Sequence, residues 1–331
     1  MKKPKFFVHD VAEIHKNKPS SRWLRVHNQI VDAISAVGCA LDIVTPGCAP
    51  PEPLNGIFIG KHSRLTIDNC WNVKMSYLLD YFYFDRTGYS GWAEMANDPK
   101  CFERAMAVSQ IKADEFFGKL YAETVLTNHS KHPQGNTPFL PPVRSFVFLP
   151  LQLSFDTVMQ LSRIDHFVFY EAVRDWSLAR NLDLVIKPHP AAQGIPAFGG
   201  RKCQSTQAIL CDSTQHAHVH STNASIHSIL PLCDAIFCIN SGVGFESLIH
   251  HKPVITAGHV DYHWATRCVG SIDDVNAIDD WIVPLLGQDD LRKFLYYFLN
   301  DYLSDSRDES NILRCVNHAL GEYSCRDTDT I

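Results

Sequence analysis

Lys187-Pro188-His189-Pro190 joins a primary amine and an imidazole on one short loop. Two prolines fix the backbone around them, so both side chains are presented rigidly to an anionic or protonatable group. Ser241-Gly242-Val243-Gly244-Phe245-Glu246-Ser247 is a second such stretch. Small residues at a helix start leave backbone N–H groups open to a phosphate, and the helix dipole adds to the attraction. Glu246, a few residues on, offers a fixed carboxylate to ribose hydroxyls, whereas the Gly-Lys-Ser/Thr ending of a P-loop is missing. Gln152 and Asp156 follow the apolar run of "FLPLQLSFD" and would open onto the same ground. For Asp156, helix N-capping is the competing reading. Together these residues describe a nucleotide site, with the helix start and His189 for phosphate and Glu246 for sugar.

"YFDRTGYSGWAE" (83–94) ends an aromatic run on Asp85. A carboxylate so placed can serve as general base or as nucleophile at an anomeric carbon. Gly88 and Gly91 would let the backbone approach a sugar, and Tyr89 and Trp92, with Ser90 between them, would line its cleft. "HAHVH" (216–220) puts His216, His218 and His220 on one face of any strand. With no carboxylate or cysteine partner evident beside them, we read a polar strand face and expect no metal.

Such residues need a scaffold that brings strand ends together. "KFFVHD" reads as a strand, and Trp23, Val26, Ile30, Ile34 and Val37 recur at helical spacing between an N-cap at Ser20 or Ser21 and Gly38. "ALDIVTP" returns as a strand, completing a βαβ unit and predicting a parallel sheet. "NGIFIG" and "YLLDYFYFD" read as further strands, and 101–125 as one long helix. A stretch with four prolines, 127–144, reads as an interdomain linker. Strands and helices then alternate again through "KPVITAG", and helices over 291–303 and 309–323 finish the chain. The reading is two Rossmann-like α/β domains facing across a cleft, an acceptor-side domain over 1–135 and a nucleotide-sugar domain over 136–331. In open parallel sheets ligands bind at the carboxyl ends of strands, where these motifs fall.

Bulk properties narrow the partners. Over 331 residues, 45% hydrophobic and 20% charged composition fits an ordinary folded protein of two domains. A formal charge of −6 gives no electrostatic reason to expect nucleic acid. The 11 cysteines are scattered singly, as expected of reduced thiols in a cytoplasmic protein. The apolar run near the N-terminus is short for a signal peptide, and no run approaches a membrane span. Peripheral association at the inner membrane face stays open.

Asp-x-x-Gly-Tyr-Ser-Gly-Trp, Pro-x-Gln-x-x-x-Asp, Lys-Pro-His-Pro and Asn-Ser-Gly-x-Gly-Phe-Glu-Ser followed by Lys-Pro-Val-Ile resemble the bacterial capsule polysaccharide synthesis family. That family includes GT-B transferases of Kdo (3-deoxy-D-manno-oct-2-ulosonic acid), and the resemblance covers roughly residues 80 to 260. It implies a nucleotide sugar as co-substrate, CMP-Kdo in the Kdo transferases, with no further cofactor and no metal. By the same resemblance, His189 contacts the donor phosphate or assists the leaving group. Ser241 and Gly242 form the phosphate turn, Glu246 is the following glutamate, and Asp85 is an essential carboxylate. The chain reads Asp85-Arg86-Thr87-Gly88 where those transferases show Glu-Asp-Gly, which leaves room for another donor sugar. The function expected is transfer of Kdo or a related acidic sugar to a capsule or other surface glycan or glycolipid. Polyol-phosphate transfer, sugar-nucleotide epimerisation and non-catalytic binding of nucleotide or glycan are the alternatives.

Overall fold

The computed structural model describes residues 3–12, 21–52, 54–135, 137–192, 202–279 and 282–328. Ser20, one of the two expected N-caps, lies outside them. The chain forms two compact units, 1–101 with 297–331, and 102–296.

In the first unit, β1 (Lys5–His9), β2 (Ala40–Val44), β3 (Gly56–Lys61) and β4 (Cys70–Met75) lie in the order β2-β1-β3-β4 and are parallel. The helix Arg22–Ala36 buries Val26, Ile30 and Ile34, the stripe visible in the sequence. Ser21 sits at its N-cap in extended conformation but makes no side-chain capping bond. The helix ends before Gly38, whose φ of +67° suits glycine.

Beyond β4 the expected parallel order fails. β5 (Tyr81–Asp85) runs antiparallel to β4, with Asn72 opposite Asp85, and a late strand, Ser304–Asp305, pairs antiparallel with β5. Only five residues separate β4 from β5, too few for a parallel crossover. The helix Glu309–Thr328 follows and packs on Arg22–Ala36, where Ile312, Val316 and Ala319 join the core.

The second unit holds β6 (Phe146–Pro150), β7 (Asp183–Lys187), β8 (Val219–Ser221), β9 (Ile236–Cys238), β10 (Val254–Thr256) and β11 (Arg267–Cys268). All are parallel, in the order β8-β7-β6-β9-β10-β11. Every residue of β6 is buried, as expected of a central strand covered on both faces. Val147, Leu149, Leu184, Ile186 and Phe237 pack with Phe169, Val173 and Trp176 of the helix His166–Ala179. Each such fully buried side chain contributes about 1.5–3 kcal/mol.

The division therefore falls at 101/102 and 296/297 and not at 135/136. Residues 128–134, expected in a linker, are bonded into the second unit: Ser225 Oγ donates to Asn128 Oδ1, and Ile226 N to Gln134 Oε1 at 3.0 Å. The C-terminal residues join the first unit because Ser304–Asp305 completes its sheet. The expected helix over 101–125 breaks into Pro99–Met106 and Gln110–Tyr121, with Ser109 extended at the second N-cap. The helix before Pro231 is short, Ile226–Ile229. Among the described residues no helix is long and apolar enough to cross a membrane.

Candidate active site

In the second sheet the strand order reverses between β6 and β9, and such a reversal opens a crevice at the carboxyl ends of the strands. Gln152 and Asn240 lock the two sides together. Gln152 Nε2 donates to Asn240 Oδ1 at 2.5 Å, and Asn240 N donates to Gln152 Oε1 at 2.8 Å. Gln152 is thus a clamp at the floor of the crevice. Asp156 accepts from Val158 N and caps the 3-10 turn Thr157–Leu161, the N-capping role weighed for it.

After β9, Ser241 caps the helix Gly242–Ile249 by accepting from Val243 N at 3.2 Å. The Gly242 amide is in the first turn, where no intrahelical acceptor exists. Gly244 is fixed by packing, since a Cβ would lie 2.7 Å from both Cys238 Sγ and the Tyr262 hydroxyl.

After β7, Lys187 is partly buried and desolvation lowers its pKa. His189 Nδ1 accepts from Ala191 N at 3.1 Å, so the neutral ring carries its proton on Nε2. Burial pulls His189 down to about 4, although Asp156 is near enough to oppose the shift. The ring meets His132 edge to face at 4.9 Å between centroids.

His132 belongs to a group the sequence reading assigned to a linker. Ser130 Oγ donates to Glu246 Oε1 at 2.9 Å. Lys131 is partly exposed, and desolvation of its ammonium brings it down to about 8 against the opposing pull of Asp156 and Glu246. Glu246 is 2% exposed, and burial raises its carboxyl to about 8 even though Ser130 and Lys131 favour its charged form. Among the described residues Glu246 Oε2 has no hydrogen-bond partner. Ser130, Lys131, His132, Asp156, His189 and Glu246 therefore form one electrostatically linked set. A signal was present: Lys131-His132-Pro133 repeats the base-and-proline chemistry of Lys187-Pro188-His189-Pro190.

Asp85 lies in the first unit and His189 in the second. Asp85 is 3% exposed. Its Oδ1 accepts from Thr87 N at 2.7 Å, Thr87 Oγ1 at 2.9 Å and Gly88 N at 2.8 Å, and its Oδ2 from Glu94 N at 3.1 Å and the Tyr302 hydroxyl. A carboxylate offers about four lone-pair sites, so this one is fully engaged in shaping residues 86–94. Because β5 is antiparallel, the argument from strand carboxyl ends does not reach Asp85. Asn72, missed in the sequence, backs it by donating Nδ2 to the Asp85 and Arg86 carbonyls, each at 3.1 Å.

The other residues expected to line a sugar cleft are largely core. Tyr89 is 2% exposed, among His62, Tyr83 and Trp92. Ser90, also buried, accepts from the Tyr77 hydroxyl at 3.1 Å. Gly88 has φ +152°, and a Cβ there would lie 2.9 Å from Trp92 Cβ. Trp92 keeps partial exposure, with Arg64 over its ring at 4.3 Å.

Of "HAHVH" only Val219 and His220 are strand, and the His216 and His218 rings meet edge to face at 6.0 Å between centroids. His216 pairs with Asp212 at 3.4 Å, His218 Nε2 lies 3.2 Å from the Arg174 carbonyl, and His220 pairs with Asp183 at 3.2 Å. Carboxylates do stand nearby, but each takes a separate histidine. Among the described residues no group of three or more His, Cys, Asp or Glu is placed to hold a metal ion.

Residues 136–295 match the family model described as capsule polysaccharide biosynthesis protein. Protein FixF of Sinorhizobium fredii (strain NBRC 101917 / NGR234) is 27% identical over 221 residues, which is 62% of this chain and 50% of that protein. The chain thus spans about half the length of that relative. Among solved structures, Thermosulfurimonas dismutans KpsC, a beta Kdo 2,4 transferase, superposes with a TM-score of 0.55 at 16% identity, covering 97% of this chain and 99% of the other. Like that structure, the chain has a GT-B-like two-domain α/β architecture, with a helix-flanked sheet in each unit.

Proposed function

We propose that this chain is a glycosyltransferase whose second unit holds a nucleotide-activated sugar, a reading supported by the match of residues 136–295 to the capsule-synthesis family model and by the GT-B-like fold. The donor is CMP-linked Kdo or a related acidic sugar, and the acceptor is a bacterial surface glycan. One observation carries the reading: the 130–132 segment joins the two loops, Ser130 Oγ donating to Glu246 Oε1 at 2.9 Å and the His132 ring meeting that of His189 at 4.9 Å between centroids.

The chemistry follows from charge. CMP departs as a phosphate monoester, and negative charge grows on it as the glycosidic bond breaks. Lys131, Lys187 and the Gly242 amide stabilise that charge without a metal ion. His189 is neutral near pH 7, with its proton on Nε2, and donates that N–H to a phosphate oxygen. Glu246, with Oε1 held by Ser130 and Oε2 unpartnered, meets ribose hydroxyls. Gln152 and Asp156 hold the loop that frames the crevice, and Ser241 fixes the helix start. In the first unit Asp85 acts as a positioning residue for the 86–94 loop on the acceptor side.

The test is a thermal-shift series with CMP, CDP, UDP and GDP, followed by a transfer assay. CMP should raise the midpoint most, since a ligand that binds only the folded state stabilises it. Stabilisation by UDP or GDP but not by CMP overturns the acidic-sugar donor, and a fully active His189→Ala enzyme overturns the site.

A further inference from the structure

The back of Glu246 is occupied by two histidines that the transfer chemistry above does not use. His227 is buried, and its Nε2 lies 3.0 Å from the His129 carbonyl and 3.7 Å from Glu246 Oε2. A carbonyl only accepts, so Nε2 carries a hydrogen. The neutral ring then has a bare Nδ1, and His250 Nε2, 3.0 Å away, must donate to it. The two rings stack at 5.3 Å, and His250 stands in the wall of a cavity of about 380 Å³ with Tyr121, Lys252 and Arg292. His227 is thus held in one tautomer from both sides, with its N–H beside the Glu246 oxygen that has no hydrogen-bond partner among the described residues.

We propose that His227 is a positioning residue for Glu246: its Nε2–H, oriented by His250 and the His129 carbonyl, moves onto Oε2 when the carboxyl ionises, so that Glu246 meets donor hydroxyls as a carboxylate. The inference rests on the donor-site reading of Glu246. Ionisation removes the carboxyl proton to solvent and creates an acceptor-only group suited to two hydroxyl donors. The groups facing this carboxyl are the Lys131 ammonium and the Ser130 hydroxyl from the 128–132 segment and the neutral His227 ring from the helix Ile226–Ile229. Behind His227 stand His129, His250 and, beside His250, Lys252. The ring is kept neutral by burial, so it contributes an N–H and not a charge. A hydrogen bond to the charged form favours that form.

The experiment labels glutamate δ-carbons in the full-length protein and follows the Glu246 resonance, identified by its loss in Glu246→Gln, from pH 5 to 10. His227→Phe keeps the ring and removes both nitrogens; it should raise the Glu246 midpoint by about 0.5–1 unit, a three- to tenfold change in proton affinity. His227→Gln, which restores an N–H near the Nε2 position, should return the midpoint most of the way. Ring nitrogen shifts of His227 in the wild type should report the Nε2–H tautomer. Coincident titrations of wild type and His227→Phe, failure of Gln to restore, or an Nδ1–H tautomer overturns the proposal. Adding CMP to the wild type tests the parent reading separately. If the Glu246 resonance ignores CMP, the donor assignment of Glu246 fails while the titrations still decide the role of His227.

Discussion

Ser130 donates its hydroxyl to Glu246 across 116 residues of sequence, the only hydrogen bond to that carboxylate among the described residues. Ser130→Ala should leave both carboxyl oxygens unpartnered at a buried position. The expected loss is about 1–3 kcal/mol in folding free energy, read from a shifted denaturant midpoint at unchanged slope. Because the bond favours the charged form, the Glu246 carboxyl should also ionise at higher pH in the variant. An unchanged denaturant midpoint would contradict the bond.

Lys131 and Lys187 are proposed to face the donor phosphate from two loops. Lys131→Ala and Lys187→Ala should each weaken CMP binding about tenfold or more and leave cytidine binding nearly unchanged, by calorimetry. Burial brings Lys131 down to about 8, so its positive charge is present below that pH and lost above it. CMP affinity in the wild type should therefore fall between about pH 7.5 and 9, and Lys131→Arg should flatten that fall. Equal losses for CMP and cytidine would remove the phosphate role.

Asp85 is a stability residue if its five donors mean what they imply. Asp85→Asn places an amide N–H₂ against backbone N–H groups or the Tyr302 hydroxyl, and should destabilise the first unit by about 2–4 kcal/mol. Tyr302→Phe, which removes one donor, should cost about 1 kcal/mol. A stable, inactive Asp85→Asn protein would return this carboxylate to the chemistry.

Four partly or fully buried histidines, His132, His166, His189 and His250, are drawn down to about 4 from an ordinary 6.5. Between those values the unfolded chain binds protons that the folded chain refuses, so stability should fall as pH drops from 6.5 toward 4. With allowance for partial exposure, each contributes about 1 kcal/mol. Glu246 acts the other way: its folded value near 8 exceeds the ordinary 4.5, so its contribution is lost as pH rises through that range. Above pH 6.5 two groups act against Glu246: Cys203, drawn down to about 6, despite burial, by hydrogen bonds from Ser154, Ser205 and Thr206, and Lys131 near 8. Stability should therefore climb from pH 4 to 6.5 and level off above it, and a thermal midpoint flat between pH 4 and 6.5 would contradict the histidine shifts.

The second sheet was legible because each strand is a short apolar run closed by proline, glycine or a polar cluster, and because its chemistry sits where the runs stop. For that reason Lys187 ends β7, Gln152 and Ser241 lie just past β6 and β9, and Glu246 is on the helix that follows β9. The role of Ser130, Lys131 and His132 was hidden by local composition. Four prolines in 127–144 suggest a tether, whereas the segment is held by hydrogen bonds to residues about a hundred positions away. The direction of the strand that carries Asp85 was hidden for a different reason. Apolar periodicity marks a strand but not its direction, and the five-residue connection before β5 was the cue to an antiparallel return. Ser304–Asp305, two residues long, carries no periodic signal at all.

The first unit is assembled from two stretches of chain, with the whole of the second unit inserted between them. On the ribosome the second unit is complete in sequence once residue 296 has emerged, while the earlier-made sheet still lacks the strand that covers β5 and the helix that caps its core. Synthesis order and folding order are thus reversed: the later-made unit can close first, and the earlier-made one must wait with Phe82 and Phe84 short of their partners. For that interval β5 is an open sheet edge, the kind of surface on which nascent chains associate wrongly.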